Sequence, residues 1–289
     1  MTASTPKSID GEVLAGYEAG IEKGRLRTDL GHIEFDRTME ILREFLPPAP
    51  AVVCDIGGAY GEYAWPLAAL GYETHLFDLS PANIRMSAEL AAEWPGVALA
   101  AAETADARSI GRPDGFADAI LFMGPMYHIT ERHERQAALA ECRRLLKPGG
   151  RLFTGAISRY ATALWATTVF GAKNDLLAEP AFQGMIEREI ATGHHIRPED
   201  SAYHGIGRSY FHLPRELAEE LAEAGFSGND VRGILGGGWL APDLDGVWQD
   251  PVRRGAVMRI VRLMEKEESL LGLSTHLLAI SEKPGRGNG

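Results

Sequence analysis

The 289-residue chain is 45% hydrophobic, 24% charged and 8% aromatic, the balance of an ordinary globular protein of one or two domains rather than a disordered or fibrous one. Its 40 acidic against 29 basic residues leave a net charge of -11, which excludes a surface that owes its affinity to phosphate backbones, so no nucleic-acid partner is expected. Two distant cysteines, Cys54 and Cys142, fit neither a disulfide framework nor a zinc site and suit a cytoplasmic protein. The first twenty residues lack an export signal and no apolar run is long enough to span a bilayer, so no membrane partner is expected.

In chain order, residues 1–50 read as an N-terminal helical lid, in which GYEAGIEKGRLR precedes a helix with Ile33, Met39, Ile41, Leu42, Phe45 and Leu46 on its apolar face, ended by Pro47 and Pro48. From Ala51 to Ser158 the short apolar runs AVVCDI, THLFD, VALA, ADAILFM and RLFTGAIS alternate with helix-length segments at Tyr60 to Leu70, Pro81 to Trp94 and Thr130 to Leu146. That alternation predicts an α/β fold, a doubly wound, mostly parallel sheet. Thr130 is suited to cap the third of these helices, with Lys147, Pro148 and Gly149 closing it, and the helical spacing of Ala138, Cys142 and Leu145 makes Cys142 a core residue. Residues 159–213 break the alternation and read as an insertion after strand five, with helices at Tyr160 to Phe170 and Leu176 to Ala191 and then a loop rich in Gly, His and Tyr. The segment 214–283 returns to the core with a helix from Pro214, a strand from Phe226, a helix from Pro251 and the last strand THLLAIS, leaving 284–289 as a disordered tail.

The stretch DIGGAYG lies between a buried strand and a helix, where a glycine turn lets backbone N–H groups approach a ligand. A dinucleotide fingerprint aligned from Gly57 would need glycine at Ala59 and Glu62, which disfavours an NAD-dependent oxidoreductase. An acid at Asp55 suits the ammonium of an amino-acid moiety instead, a group that S-adenosylmethionine carries. Asp78 ends the next strand about 20 residues beyond the turn, where a carboxylate can accept two ribose hydroxyls.

Together, DIGGAYG, Asp78, ADAR after the third strand and LLKPGGRLF before the fifth resemble class I S-adenosylmethionine-dependent methyltransferases over residues 51–158, and THLLAIS does so loosely. The resemblance implies a Rossmann-like sheet of seven strands in the order 3-2-1-4-5-7-6 with its last strand antiparallel, S-adenosylmethionine as cofactor, and residues 51–158 as the cofactor-binding core. It further implies Asp55, Gly57 and Gly61 around the methionine part, Asp78 at the ribose, Asp106 with Ala107 at the adenine, and Gly58, Leu79 and Met123 in the same site, with Tyr17 in the lid. Ala59, where the family has its central glycine, is the departure.

Strand four ends in LFMGPMYHI at the ligand edge of the sheet, which makes Tyr127 and His128 catalytic candidates; His128 is either a base for the acceptor's proton or a helix-start histidine bonded to backbone. Gly124 and Met126 break the pattern of nucleic-acid amino-methylating enzymes, and Met123 with Gly124 replaces the acid of the metal-dependent catechol branch. His194, His195, His204 and His212 lack metal-ligand spacing, so no metal is expected; His195 and His204 are candidates for the substrate pocket, with Tyr203, Tyr210 and Phe211 as its walls or as core. Tyr17, Glu22 and Arg25 are lid candidates by position. The expected activity is methyl transfer to a small-molecule acceptor, at an O, N, S or C atom, with a non-catalytic cofactor-binding protein as the rival that motifs alone leave open.

Overall fold

A computed structural model describes residues 24–168, 175–203 and 205–285. The strands are β1 (Val52–Ile56), β2 (Glu73–Asp78), β3 (Ala101–Thr104), β4 (Ala117–Phe122), β5 (Leu146–Ile157), β6 (His194–His195), β7 (Ser209–Tyr210), β8 (Ser227–Gly233) and β9 (His276–Glu282). Seven of them form one sheet in the order β3-β2-β1-β4-β5-β9-β8. Neighbours from β3 to β5 run parallel, whereas β9 lies antiparallel to both β5 and β8. This is the doubly wound order expected above, and the strand order reverses beside β1, where β4 leaves on the opposite side from β2.

The helices are α1 (Gly31–Phe45), α2 (Ala64–Ala69), α3 (Pro81–Leu90), α4 (Pro125–His128), α5 (Arg132–Leu145), α6 (Ala161–Thr167), α7 (Pro180–Thr192), α8 (Pro214–Glu223), α9 (Leu244–Gln249) and α10 (Pro251–Met264). Alternate residues of the strands feed two cores, because successive side chains point to opposite faces. Cys54, Ile56, Ile120, Phe122 and Leu152 pack with Ala138, Leu139, Cys142 and Leu145 of α5 and with Leu217 and Leu221 of α8. Val53, Ala119, Leu121, Phe153, Leu278 and Ile280 pack on the other face with Met39, Ile41 and Leu42 of α1. Cys142 is a core residue, as its helical register requires.

Several local expectations shift. The third strand is Ala101–Thr104 rather than VALA: its register with β2 runs from Ala101 opposite His75 to Thr104 opposite Asp78, and the Ala100 N–H bond to Thr74 O at 2.8 Å lies just before it. Thr130 does not cap α5: the N-cap position falls to Glu131, and the Thr130 carbonyl accepts from Arg135 instead. The second insertion helix is divided into a short 3-10 turn, Leu176–Ala178, and α7, since Pro180 suits a helix's first turn and not its interior. The Gly- and His-rich loop contains the β6–β7 hairpin, which pairs His194 with Tyr210 and His195 with Ser209. This hairpin is stitched to the end of β5, where His212 N–H donates to Ile157 O at 2.8 Å and Arg159 Nε donates to Phe211 O at 2.8 Å. Residues 1–23 of the expected lid and residues 286–289 of the expected disordered tail lie outside the described residues.

Two buried ion-pair systems join elements far apart in sequence. Arg135 of α5 and Glu220 of α8 form a two-pronged pair at 2.9 and 2.7 Å. Glu265, just after α10, accepts from Arg37 of α1 at 2.6 and 2.8 Å and from Arg232 of β8 at 3.2 Å. Glu265 is the acid the two guanidinium groups share, while Arg37 also bonds Glu40 at 2.7 Å and Arg232 also bonds Asp230 at 2.8 Å. Glu265→Gln is therefore expected to lower the stability of the chain by about 1 to 3 kcal/mol, measured by denaturant unfolding, whereas the exposed Arg215→Gln should change it by less than about 0.5 kcal/mol.

Candidate active site

A cleft opens over the carboxyl ends of β1, β2 and β4, the place where a reversal of strand order leaves room for a ligand. Its floor is the turn after β1. Gly57 donates its N–H to Phe77 O at 2.7 Å and takes φ +72°, a left-handed value; a Cβ there would come within 2.6 Å of the Pro125 ring at the start of α4. A Cβ on Gly58 would overlap the Asp55 carboxyl beneath it. Ala59 sits at φ +49°, a strained value for a residue with a side chain, and its N–H donates to Asp78 Oδ2 at 2.9 Å. The other Asp78 oxygen accepts from Ser80 N–H at 2.8 Å and Asn83 Nδ2 at 3.0 Å, so one carboxylate fixes both the glycine turn and the start of α3.

The cleft walls carry Gly57, Gly58, Asp78, Leu79, Asp106, Ala107, Met123, Tyr127 and His128, nine of the residues singled out from sequence, drawn from four separate strand ends. The family profile described as a methyltransferase domain matches residues 53–150. The chain is 29% identical over 202 residues to the ubiquinone biosynthesis O-methyltransferase of Xanthomonas axonopodis pv. citri, covering 70% of this chain and 73% of that one. It is also 29% identical over 206 residues to the ubiquinone/menaquinone biosynthesis C-methyltransferase of Acidiphilium cryptum, covering 68% and 75%. A SAM-dependent methyltransferase structure from Methanosarcina mazei shares the fold, with a TM-score of 0.55 at 18% identity over 85% of this chain and 98% of that one. These matches support a class I S-adenosylmethionine-dependent methyltransferase.

The methyltransferase provides features that fit the charged, diol-bearing cofactor. Asp55 is fully buried, and neither carboxylate oxygen makes a well-formed hydrogen bond. Burial and then the neighbouring Asp78 charge push its carboxyl up to about 7, the Ala64 backbone N–H opposing this only in part. A cationic group held above the turn would favour the ionised form. Asp55 nevertheless lies under the glycine turn and not on the cleft wall, a correction to its expected direct place around the methionine part. Gly61 is likewise absent from the wall; at φ +93° it turns the chain into α2. Asp106 faces the cleft, but Arg108 engages both of its oxygens at 2.9 and 2.6 Å.

The outer half of the cleft was not foreseen in full. Arg25 lines it and is gripped by Glu34 of α1 at 2.7 and 3.0 Å. Burial alone would raise the Glu34 carboxyl, yet Arg25 and then His276 hold it at about 2. Tyr60 receives Gly24 N–H at 2.9 Å and donates to Glu62, so the turn at Arg25–Arg27 is tied to the residues just past the glycine turn. Glu34 was detectable as an acid within the mostly apolar buried face of α1, with Tyr60 and Tyr63 directly following the glycines. Tyr17, Glu22 and His204 lie outside the described residues.

His128 is half-buried in the wall beside Tyr127, ring centroids 4.4 Å apart, and desolvation followed by the Arg25 charge pushes its imidazole down to about 3. The placement of His195 in the substrate pocket is corrected: its fully buried ring lies off the cleft, Nδ1 2.7 Å from Glu189 Oε1 and Nε2 2.8 Å from Ile206 O, stacked on Phe211. With both nitrogens occupied it holds α7 to the hairpin. Phe211 is core beside Tyr127, and Tyr210 lies on Arg135 at 3.9 Å rather than in the cleft. Among the described residues no cluster of His, Cys, Asp or Glu is placed to hold a metal.

The raised Asp55 carboxyl has a consequence in pH. The fold disfavours its ionised form, so the penalty is absent below the ordinary value of 3.8, grows as pH rises toward 7 and is full above it. Asp55→Asn is expected to stabilise the ligand-free enzyme at pH 8 by up to about 4 kcal/mol, to leave it nearly unchanged at pH 4, and to weaken cofactor binding; thermal unfolding at both pH values with calorimetry checks this.

Proposed function

We propose that this methyltransferase acts on a small, acidic molecule whose nucleophilic atom reaches the cleft already deprotonated. The observation that carries the reading is the character of the outer cleft: Leu26, Tyr63, Tyr127 and Ile129 form apolar and aromatic walls around Arg25, which Glu34 holds in place with Glu62 nearby, and a histidine held neutral. Walls of that kind suit a ring or chain with one anionic group, and the net charge of -11 supports a small acceptor over a nucleic acid. The relatives named for O- and C-methyl transfer in quinone biosynthesis support an oxygen or carbon acceptor atom.

S-adenosylmethionine, when bound, supplies a methyl group on a cationic sulfur. In this reading Asp78 accepts the ribose hydroxyls, Ala107 and Asp106 border the adenine with Asp106 shared by Arg108, and the backbone at Gly57 and Gly58 borders the methionine part, Asp55 acting on its ammonium from beneath the turn. Leu79 and Met123 form apolar walls of the same site. An imidazole held at about 3 is a weak base at neutral pH, so His128 and Tyr127 position the acceptor, Arg25 favours its anionic form, and the rate rests on alignment behind the methyl carbon.

Asp78→Ala should weaken binding of S-adenosylhomocysteine by about 1 to 3 kcal/mol in calorimetry; unchanged affinity removes Asp78 from the ribose role. Methyl-labelled cofactor offered with small phenols, carboxylic acids, amines and tRNA should mark the acidic small molecules, and labelled tRNA overturns the reading. With an acceptor in hand, His128→Ala should lower the single-turnover rate while the midpoint of its pH profile stays where it was. Disappearance of a rate-controlling ionisation in that variant makes His128 the base instead.

A further inference from the structure

Helix α10 bears a surface that neither the cleft nor the core uses. Val252, Ala256, Ile260 and Leu263 follow one another at the spacing that returns to one side of a helix, and all four are exposed, Val252 by 81%, Leu263 by 74% and Ile260 by 48%. Met258 and Val261 on the opposite side anchor the helix in the core. Large apolar side chains exposed on successive turns mark an interaction site where a single one does not.

The charges beside the stripe say what it meets. From Pro251 to Met264 the helix has four arginines and no acid, in a chain whose net charge is -11. Arg253 and Arg259 flank the stripe, whereas Arg254 falls on the side of Met258 and lines a groove there with Arg43, Asp36 and Glu40. Arg262 is neutralised by Glu40 at 2.6 Å, whereas Arg43, Arg253, Arg254 and Arg259 have no ion pair among the described residues. Of the acids next to the helix, Asp250 caps backbone N–H groups at its start, Glu265 is buried between Arg37 and Arg232, and Glu267 caps the 3-10 turn that follows.

We propose that α10 docks the enzyme on the surface of an anionic lipid bilayer, the apolar stripe entering the boundary between headgroups and acyl chains while Arg253 and Arg259 on its flanks meet lipid phosphates. A second copy of the chain is the competing apolar partner, but a two-fold pairing of α10 would set arginine against arginine. Among the described residues no helix is long and apolar enough to cross a membrane, and the sequence expectation of no membrane partner rested on that criterion. A helix lying on the surface buries only one face and needs no such length. The docking face also adjoins the active site: in the turn Arg25–Arg27, Arg25 and Leu26 line the cleft and Arg27 lines the groove beside α10.

Docking is independent of which acceptor is methylated, so it is tested without turnover. The full chain is sedimented with vesicles of phosphatidylglycerol and phosphatidylcholine in equal parts and with vesicles of phosphatidylcholine alone, and its mass in solution is measured by light scattering. Binding is expected only to the anionic vesicles, falling as salt is raised. Both Val252→Asp/Leu263→Asp and Arg253→Glu/Arg259→Glu should reduce it at least tenfold while S-adenosylhomocysteine affinity is kept. The arginine pair carries the test alone should the first variant misfold. Equal sedimentation with both vesicle types, or binding unchanged in the variants, overturns the proposal. So does a wild-type dimer that ignores vesicles and is split by Leu263→Asp, which assigns the stripe to a second copy.

Discussion

The carboxylate of Asp78 organises the ligand edge of this enzyme. It closes β2, receives the N–H of Ala59 across the gap to the turn after β1, and receives Ser80 and Asn83 at the start of α3. The bond to Ala59 bears on a residue in the left-handed region, a conformation that costs about 1 to 2 kcal/mol for a residue with a side chain. A charge-assisted hydrogen bond is of the size needed to offset that strain. At Ala59 the turn is thus held from the neighbouring strand, while Gly57 and Gly61 on either side use a glycine's own freedom, and the shape of the cleft follows from both.

The buried charges divide into two kinds. Arg135 with Glu220, and Glu265 with Arg37 and Arg232, are matched and join helices to one another or to a sheet edge. Asp55 is unmatched, lies beneath the turn that a ligand would cover, and is held near its ionisation point. Matched pairs serve the fold, whereas an orphaned acid beneath a cleft is a reservoir of destabilisation that a cationic ligand can discharge.

The sheet was legible in the sequence because its signal is local: apolar runs alternate with helical segments, and a glycine turn followed by an acid at the next strand end marks the crevice. Gly57, Asp78, Asp106 and His128 all reached the cleft from positions that such reasoning can find. What escaped depends on contacts between distant segments. His195 looked like a pocket residue until Glu189 and Ile206 were seen to hold both of its nitrogens, and no spacing rule announces that Arg25 will meet Glu34 over the mouth of the cleft. Asp55 was found by its pattern, but whether it would face the ligand or lie under a turn is decided by the backbone of Gly58, which the letters alone do not orient.

The insertion after β5 is bolted to the sheet at one place, where Arg159 and His212 bond the end of that strand to the hairpin, and its β7 edge packs against α4, which carries Tyr127 and His128. The strand ends that bear Asp55, Asp78 and Asp106 belong to the other half of the sheet. No described residue of 159–213 lines the cleft, so the insertion reaches the pocket only through α4. A substitution in the hairpin would therefore be felt as a shift of Tyr127 and His128, while the strand ends that border the inner cleft stay as they are.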